Sequence, residues 1–100
     1  MKPVILHADA EEELRAALDY YEGRRSGLGG EFRREFEAAL LRVRENPQAY
    51  AAEDDPGIRH CPLHRFPFSV VYVELEDRIW VAAVAHHRRR PRYWAHRQPD

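Results

Sequence analysis

An apolar segment followed directly by a basic one constrains the fold of this chain more than any other feature. Residues 80–85, WVAAVA, carry no charged side chain and suit a strand that is buried on both faces. Residues 86–97 then contain three histidines, five arginines, one tyrosine and one tryptophan, and no acid. Such a strand would hold a basic, aromatic cluster on a rigid support. The pattern favours a surface that meets a polyanion or an acidic partner, the alternative being a solvated basic tail.

The first half of the chain predicts one short strand and two helices. The strand lies around 4–6, and the first helix begins with Asp9 as its N-cap and Glu12 in a capping-box position. The glycine-rich segment 27–30 separates this helix from a second one, which ends at the Asn-Pro pair 46–47. Because the connection between them is short, the two helices should form an antiparallel hairpin.

The second half predicts three strands, at 58–63, 68–75 and 78–86, after an acidic loop with a turn at 55–57. The predicted fold is therefore α+β, in the order β-α-α-β-β-β. A helical hairpin packs on a small antiparallel sheet, and residues 1–100 form a single domain with a short basic C-terminal tail. Strict alternation along the last strand predicts two faces, one with Ile79, Val81, Ala83 and Ala85, and the other with Trp80, Ala82, Val84 and His86.

Charge is distributed unevenly although the net charge is only −1. Residues 1–56 carry thirteen acids and eight Lys and Arg, whereas residues 57–100 carry four acids and eight Arg. The C-terminal half should therefore form a basic face. The single cysteine excludes an internal disulfide, and the only early apolar run is too short for a signal peptide or a membrane span. These features predict a cytoplasmic protein without a membrane contact.

Neither a metal nor a cofactor is predicted. His60, Cys61 and His64 lie close together, but zinc sites use about four ligands and the one cysteine has no companion. The glycines of 27–30 do not follow a strand, so they do not predict a phosphate-binding loop.

The histidines and arginines after the last strand allow two kinds of chemistry. Histidine moves protons near neutral pH and arginine stabilises phosphate charge, so His86, His87 and the arginines 88–90 could cleave RNA without a metal. The same side chains, with Tyr93, could instead only bind a single strand. For Trp94 we favour a return into the core over an exposed stacking role, because aromatic side chains usually pack.

Several motifs, in this order and spacing, resemble the RelE/ParE superfamily of toxins from bacterial type II toxin–antitoxin modules. The resemblance covers nearly the whole chain. It rests on DYYE at 19–22, GLG at 27–29, NP at 46–47, RFPFSVVY at 65–72 and AVAHHRRRPRYW at 83–94.

The resemblance implies a plasmid-stabilisation type of toxin that arrests growth until a cognate antitoxin binds it. RelE-like members are ribosome-dependent mRNA endonucleases, and that branch would assign catalysis to His87, Arg88 and Tyr93. They usually carry a strand arginine where this chain has Ser69, whereas the pattern His-x-Arg-Arg-x-Pro at 86–91 resembles the ParE-like branch, which poisons DNA gyrase.

We therefore favour a ParE-like gyrase poison without catalysis of its own. The alternatives are a RelE-like nuclease acting on ribosome and mRNA, and a non-toxic nucleic-acid-binding or adaptor module. In each case the expected contact surface is one basic cluster, which contains Arg65, His86, Arg88, Arg89, Arg90 and Arg92.

Overall fold

The computed structural model describes residues 1–52 and 57–99, so the predicted acidic turn at 55–57 lies mostly outside the described residues. The elements follow the predicted order and confirm the α+β class. They are β1 (Val4–Leu6), α1 (Ala8–Arg24), α2 (Leu28–Glu45), β2 (Ile58–Pro62), β3 (Phe68–Glu74) and β4 (Ile79–His86). Among the described residues, no helix has the length and apolar character needed to cross a bilayer.

The sheet is mixed, whereas the sequence predicted an antiparallel one. The strand order is β1-β4-β3-β2, and the three later strands pair antiparallel as expected. At the edge β1 runs parallel to β4, with Val4 opposite Ile79 and Leu6 opposite Val81. No tight turn joins β1 to its neighbour, because the whole helical hairpin lies between β1 and the other strands in the chain. Parallel pairing through such a long helical connection is therefore allowed.

A β-bulge in β4 corrects the predicted faces of this strand. Val71 of β3 pairs with Ala83 and Tyr72 pairs with Val81, so Ala82 is an extra residue on β4. Beyond this point the alternation is inverted. Val84 packs in the core beneath the helices with Val81, while Ala82, Ala83 and Ala85 pack in a second cluster on the opposite face. The bulge therefore decides which side of the sheet each residue at the end of β4 reaches.

Helix α1 begins two residues earlier than expected, because its N-cap is His7 rather than Asp9. The His7 Nδ1 atom accepts the Asp9 backbone N–H at 3.0 Å. The His7 N–H donates to the Val81 carbonyl at 2.9 Å, which extends the β1–β4 ladder up to the start of the helix. Because strand and helix follow each other without a loop, the capping position falls on His7.

The glycine-rich segment brings the two helices into close contact. Gly27 has a φ of 89°, a backbone conformation that favours glycine, and α2 begins at the next residue. A Cβ atom on Gly29 would lie 2.9 Å from the Leu18 carbonyl oxygen of α1. The Glu22 carboxylate accepts the N–H groups of Gly27 at 3.0 Å and of Gly29 at 3.0 Å, and so satisfies free donors at the start of α2.

We expect Gly29→Ala to lower the free energy of unfolding by about 2 kcal/mol, because its methyl group meets backbone that cannot move independently of α1. Gly30→Ala is the matched control, since the nearest atom to its added methyl is 3.6 Å away on the flexible Arg34 side chain. It should raise stability by about 0.5 kcal/mol through helix propensity. Urea unfolding measures both, and equal effects of the two changes would contradict close helix packing at Gly29.

Side chains from both helices and the sheet form the main core, and the C-terminal segment adds a second cluster on the other side of the sheet. Phe32 is fully buried, and its ring centroid lies 5.1 Å from those of Phe66 and Phe68. On the opposite face Trp94 is only 4% exposed and packs in one cluster with Trp80. The prediction that Trp94 returns into the core is therefore confirmed.

Candidate interaction site at the end of strand β4

The two adjacent histidines at the end of β4 have different surroundings. The His86 ring meets the Phe68 ring edge-on with centroids 5.0 Å apart, and its Nδ1 atom accepts the Arg88 backbone N–H at 3.0 Å. The His87 Nε2 atom lies 2.9 Å from the Ser69 hydroxyl oxygen. His87 is further held by its N–H, which donates to the Pro67 carbonyl at 2.8 Å. Both imidazole rings are thus oriented by hydrogen bonds at their own nitrogen atoms.

A largely apolar groove lies between α1, the start of α2, the first residue of β3 and the last residues of β4. Its volume is about 570 Å³. The apolar groove is lined by Glu13, Ala16, Ala17, Tyr20, Tyr21, Arg24, Leu28, Phe68, Val84, His86 and Arg89. Tyr20 is 58% exposed on the wall of this groove. The charged side chains of the lining are Arg24 and Arg89 against one carboxylate, Glu13, so the groove suits an apolar segment that carries acidic residues.

A second cavity of about 310 Å³, which we name the basic pocket, opens on the other side of β4. As far as the structure describes the chain, its lining contains histidines, arginines, two hydroxyl groups and two aromatic side chains, and no acidic residue. The basic pocket is lined by His60, Ser69, Ala85, His86, His87, Arg89, Arg90, Pro91, Arg92, Tyr93 and Trp94. Such a composition suits an anion.

Consecutive turns hold the C-terminal segment against the sheet. The N–H groups of Tyr93, Ala95 and Arg97 each donate to the carbonyl three residues earlier. Arg92 adopts a φ of 60°, which is uncommon for a residue with a side chain, and its guanidinium lies 5.6 Å from the Trp94 ring centroid. The buried Trp94 thereby anchors the basic residues that precede it.

The Glu13 carboxylate joins helix α1, strand β4 and the C-terminal segment. Two guanidinium nitrogens of Arg97 donate to it at 3.1 and 3.0 Å, and the Tyr93 hydroxyl donates at 2.8 Å. The Val84 N–H also donates to Glu13, at 3.0 Å, and Arg97 donates to the Ala82 carbonyl at 2.9 Å. The side chains of Glu13 and Arg97 are only 15% and 8% exposed.

This network satisfies backbone groups that would otherwise leave an open sheet edge. Strand β1 pairs with only the first three residues of β4, and the ladder at this edge does not continue beyond His7. The N–H of Val84 and the carbonyl of Ala82 lie past that point, and Glu13 and Arg97 bind them instead. Covering an edge in this way is one means by which proteins prevent unwanted strand pairing.

The network also sets the protonation of Tyr93 and Arg97. Burial, and then the hydrogen bond to Glu13, raises the pKa of Tyr93 above its ordinary value. Burial lowers the pKa of Arg97, but the hydrogen bond to Glu13 and its charge outweigh this and raise that pKa overall. At neutral pH Tyr93 is therefore a neutral donor and Arg97 a cation.

The structure brings together only part of the predicted site. Of the three residues proposed for catalysis, His87 and Tyr93 line the basic pocket, whereas Arg88 lines neither of the two cavities described above. Arg65 also lies outside both cavities. Its guanidinium donates to Glu31 of α2 at 2.7 Å, and this hydrogen bond raises the pKa of Arg65.

The remaining members of the predicted basic cluster lie together. His86, Arg89, Arg90 and Arg92 line the basic pocket, and the Arg89 guanidinium lies 3.9 Å from the centroid of the Tyr93 ring. Within residues 1–52 and 57–99, no group of three or more His, Cys, Asp or Glu side chains is placed to hold a metal ion. Cys61 is fully buried.

The β-α-α-β-β-β fold of this chain has a counterpart among solved structures. A solved structure described as "Chromosomal ParDE TA system from P. aeruginosa" is similar, with a TM-score of 0.71 and 20% sequence identity. The alignment covers 86% of this chain and 96% of that chain, and at this identity it shows a shared fold. No relative is found among curated proteins.

The family is shown by a sequence profile. The family described as "ParE toxin of type II toxin-antitoxin system, parDE" matches residues 4–91. The chain therefore belongs to the ParE toxin family, as the resemblance read from its motifs predicted.

Proposed function

We propose that this chain arrests growth by poisoning DNA gyrase, without catalysis of its own, and that a cognate antitoxin silences it. The observation that supports this target over RNA cleavage is the position of Tyr93. Its hydroxyl donates to Glu13 at 2.8 Å, and its pKa is raised. A neutral phenol that is already bound to a carboxylate is a poor proton-transfer group. Ser69, in place of a strand arginine, supports the same branch.

We further propose that the antitoxin occupies the apolar groove with an amphipathic segment. The chemistry of the groove supports this partner, because its floor is apolar and its polar lining includes Arg24, His86 and Arg89. An antitoxin segment with apolar side chains toward the floor and acidic side chains toward these residues would complement it. The similar structure is titled as a ParDE toxin–antitoxin system, which agrees with a protein partner. With gyrase and an antitoxin as partners, we propose a cytoplasmic location for the chain.

A second candidate function, ribosome-dependent cleavage of mRNA, is favoured by one observation. The His87 Nε2 atom and the Ser69 hydroxyl lie 2.9 Å apart in a pocket that also contains arginines. An imidazole beside a bound phosphodiester is the usual arrangement for a general base. In this candidate His87 would activate the 2′-hydroxyl of the RNA, and an arginine of the pocket would stabilise the phosphate.

Pulse labelling after induction of the chain alone in bacterial cells distinguishes the two targets. Incorporation of labelled thymidine and labelled methionine is followed over the first minutes, with co-expression of the antitoxin as the control. We expect thymidine incorporation to fall first while methionine incorporation continues, because gyrase poisoning stops replication before translation.

The other outcomes count against the proposal in different ways. Early loss of methionine incorporation would transfer the assignment to the nuclease and to His87. Unaffected incorporation of both labels would contradict toxicity and favour a non-toxic nucleic-acid-binding or adaptor module.

A further inference from the structure

We propose that the basic pocket is a specific binding site for the phosphate group of a nucleic-acid strand. It lies on the opposite side of β4 from the apolar groove, and the two cavities share the lining residues His86 and Arg89 at the end of the strand. Phosphate binding in the basic pocket does not depend on which cellular target the toxin has, because the isolated chain makes this contact.

A buried hydroxyl marks the inner wall of the basic pocket. Ser69 is 7% exposed and occupies a position in β3 opposite Ala85, where an apolar side chain would pack well. Its hydroxyl has one donor and two acceptor sites, and the bond with His87 uses only part of this capacity. Ser69 and His87 therefore present hydrogen-bonding groups of fixed position at the end of the strand, where both line the cavity.

The charge of the basic pocket selects an anion. Arg89, Arg90 and Arg92 line it, and the part of its lining that the structure describes contains no carboxylate. Guanidinium groups form strong, paired hydrogen bonds with phosphate oxygens. The turns between Arg90 and Arg97, with the buried Trp94 among them, keep this lining in place before any ligand arrives. A preformed site loses less entropy on binding than a flexible tail does.

The aromatic lining favours a nucleic-acid phosphate over an acidic side chain of a protein. Tyr93 is half-buried in this cavity with Arg89 over its ring, whereas Trp94 is buried and only packs behind the lining. Aromatic rings and arginine planes offer stacking surfaces to bases next to a bound phosphate. The volume of about 310 Å³ is at the lower end of the range for small-molecule sites, which fits one nucleotide unit better than a folded protein segment.

Two neighbouring arginines provide the test. Arg90 lines the basic pocket and Arg88 does not, although both are exposed and lie two residues apart. The purified full-length chain is titrated into a fluorescein-labelled single-stranded 12-mer at fixed salt, and binding is followed by anisotropy. We expect Arg90→Ala to weaken binding about ten-fold through the loss of a charged hydrogen bond. Arg88→Ala should weaken it by less than about two-fold, as an exposed charge does.

Competitors identify the source of the anion. Inorganic phosphate alone should displace the labelled strand from the wild-type chain at millimolar concentration, and an unlabelled strand should do so at much lower concentration. Equal weakening by Arg88→Ala and Arg90→Ala would overturn the proposal, because binding would then depend only on overall charge. Displacement by a glutamate-rich peptide but not by phosphate would also overturn it, in favour of an acidic protein partner. Gyrase is absent from this measurement, so its result is independent of the proposed target.

Discussion

Glu13→Ala is expected to lower the free energy of unfolding by about 3 kcal/mol, because it removes both hydrogen bonds of Glu13 to the buried Arg97 and leaves that charge only the Asp9 carboxylate, 3.7 Å from Arg97 Nε. The change also removes the acceptor of the Tyr93 hydroxyl and of the Val84 N–H. Unfolding in urea, followed by circular dichroism, measures the loss. Hydrogen exchange at the Val84 amide gives a local readout, and its protection should fall as the edge of β4 opens.

The neighbouring residue Glu12 is the matched control. It lies on the same helix turn but is 69% exposed and pairs with the exposed Arg15. Glu12→Ala should change stability by less than about 0.5 kcal/mol. In a double-mutant cycle, Glu13→Ala and Arg97→Ala should show a coupling energy of about 1 kcal/mol or more. Equal effects at Glu12 and Glu13, or no coupling, would mean that this network does not hold the C-terminal segment.

Ala16→Arg is expected to weaken antitoxin binding by about 100-fold, because a long charged side chain would fill the apolar groove. Ala16 lines the groove and is exposed in the isolated chain, so the change should leave the free energy of unfolding nearly unaltered. The added charge also opposes the complementarity with acidic antitoxin residues that we propose for Arg24 and Arg89. Isothermal titration of the purified chain with its antitoxin measures the affinity.

Ala38→Arg is the control for this prediction. Ala38 is an exposed alanine in α2 that does not line the apolar groove, so the same change there adds the same side chain to a helix surface. Its antitoxin affinity should stay within about two-fold of the wild-type value. A similar loss of antitoxin affinity in both variants would contradict the prediction. It would mean that the antitoxin binds elsewhere or that the added charge alone weakens binding.

Local patterns in the sequence predicted the order of the elements but not all of their pairing. Apolar periodicity and the breaks at 27–30 and 46–47 were sufficient to predict the helical hairpin and the later strands. The parallel pairing of β1 with β4 depends on how the helical hairpin packs on the sheet. No short sequence pattern encodes this packing. The bulge at Ala82 depends on the register between β3 and β4, so strict alternation assigned the end of β4 to the wrong faces.

The candidate site was also predicted only in part, because some of its contacts depend on how distant segments of the chain pair. The run of basic residues after β4 was visible in the sequence, as was the return of Trp94 into the core. Glu13 was not among the predicted site residues. It lies three residues after Ala10 and four before Ala17, both buried, and this spacing on the inner face of α1 was the available signal. The pairing of Ser69 with His87 had no such signal, because it depends on contacts across the sheet.

Supercoiling of relaxed plasmid DNA by purified gyrase tests the central claim most directly. The purified chain is added in increasing amounts, alone or with its antitoxin, and the topoisomers are separated on an agarose gel. The account predicts that the chain alone blocks supercoiling and that an equimolar amount of antitoxin restores it. Complete supercoiling at a large excess of the chain over gyrase would contradict the gyrase assignment.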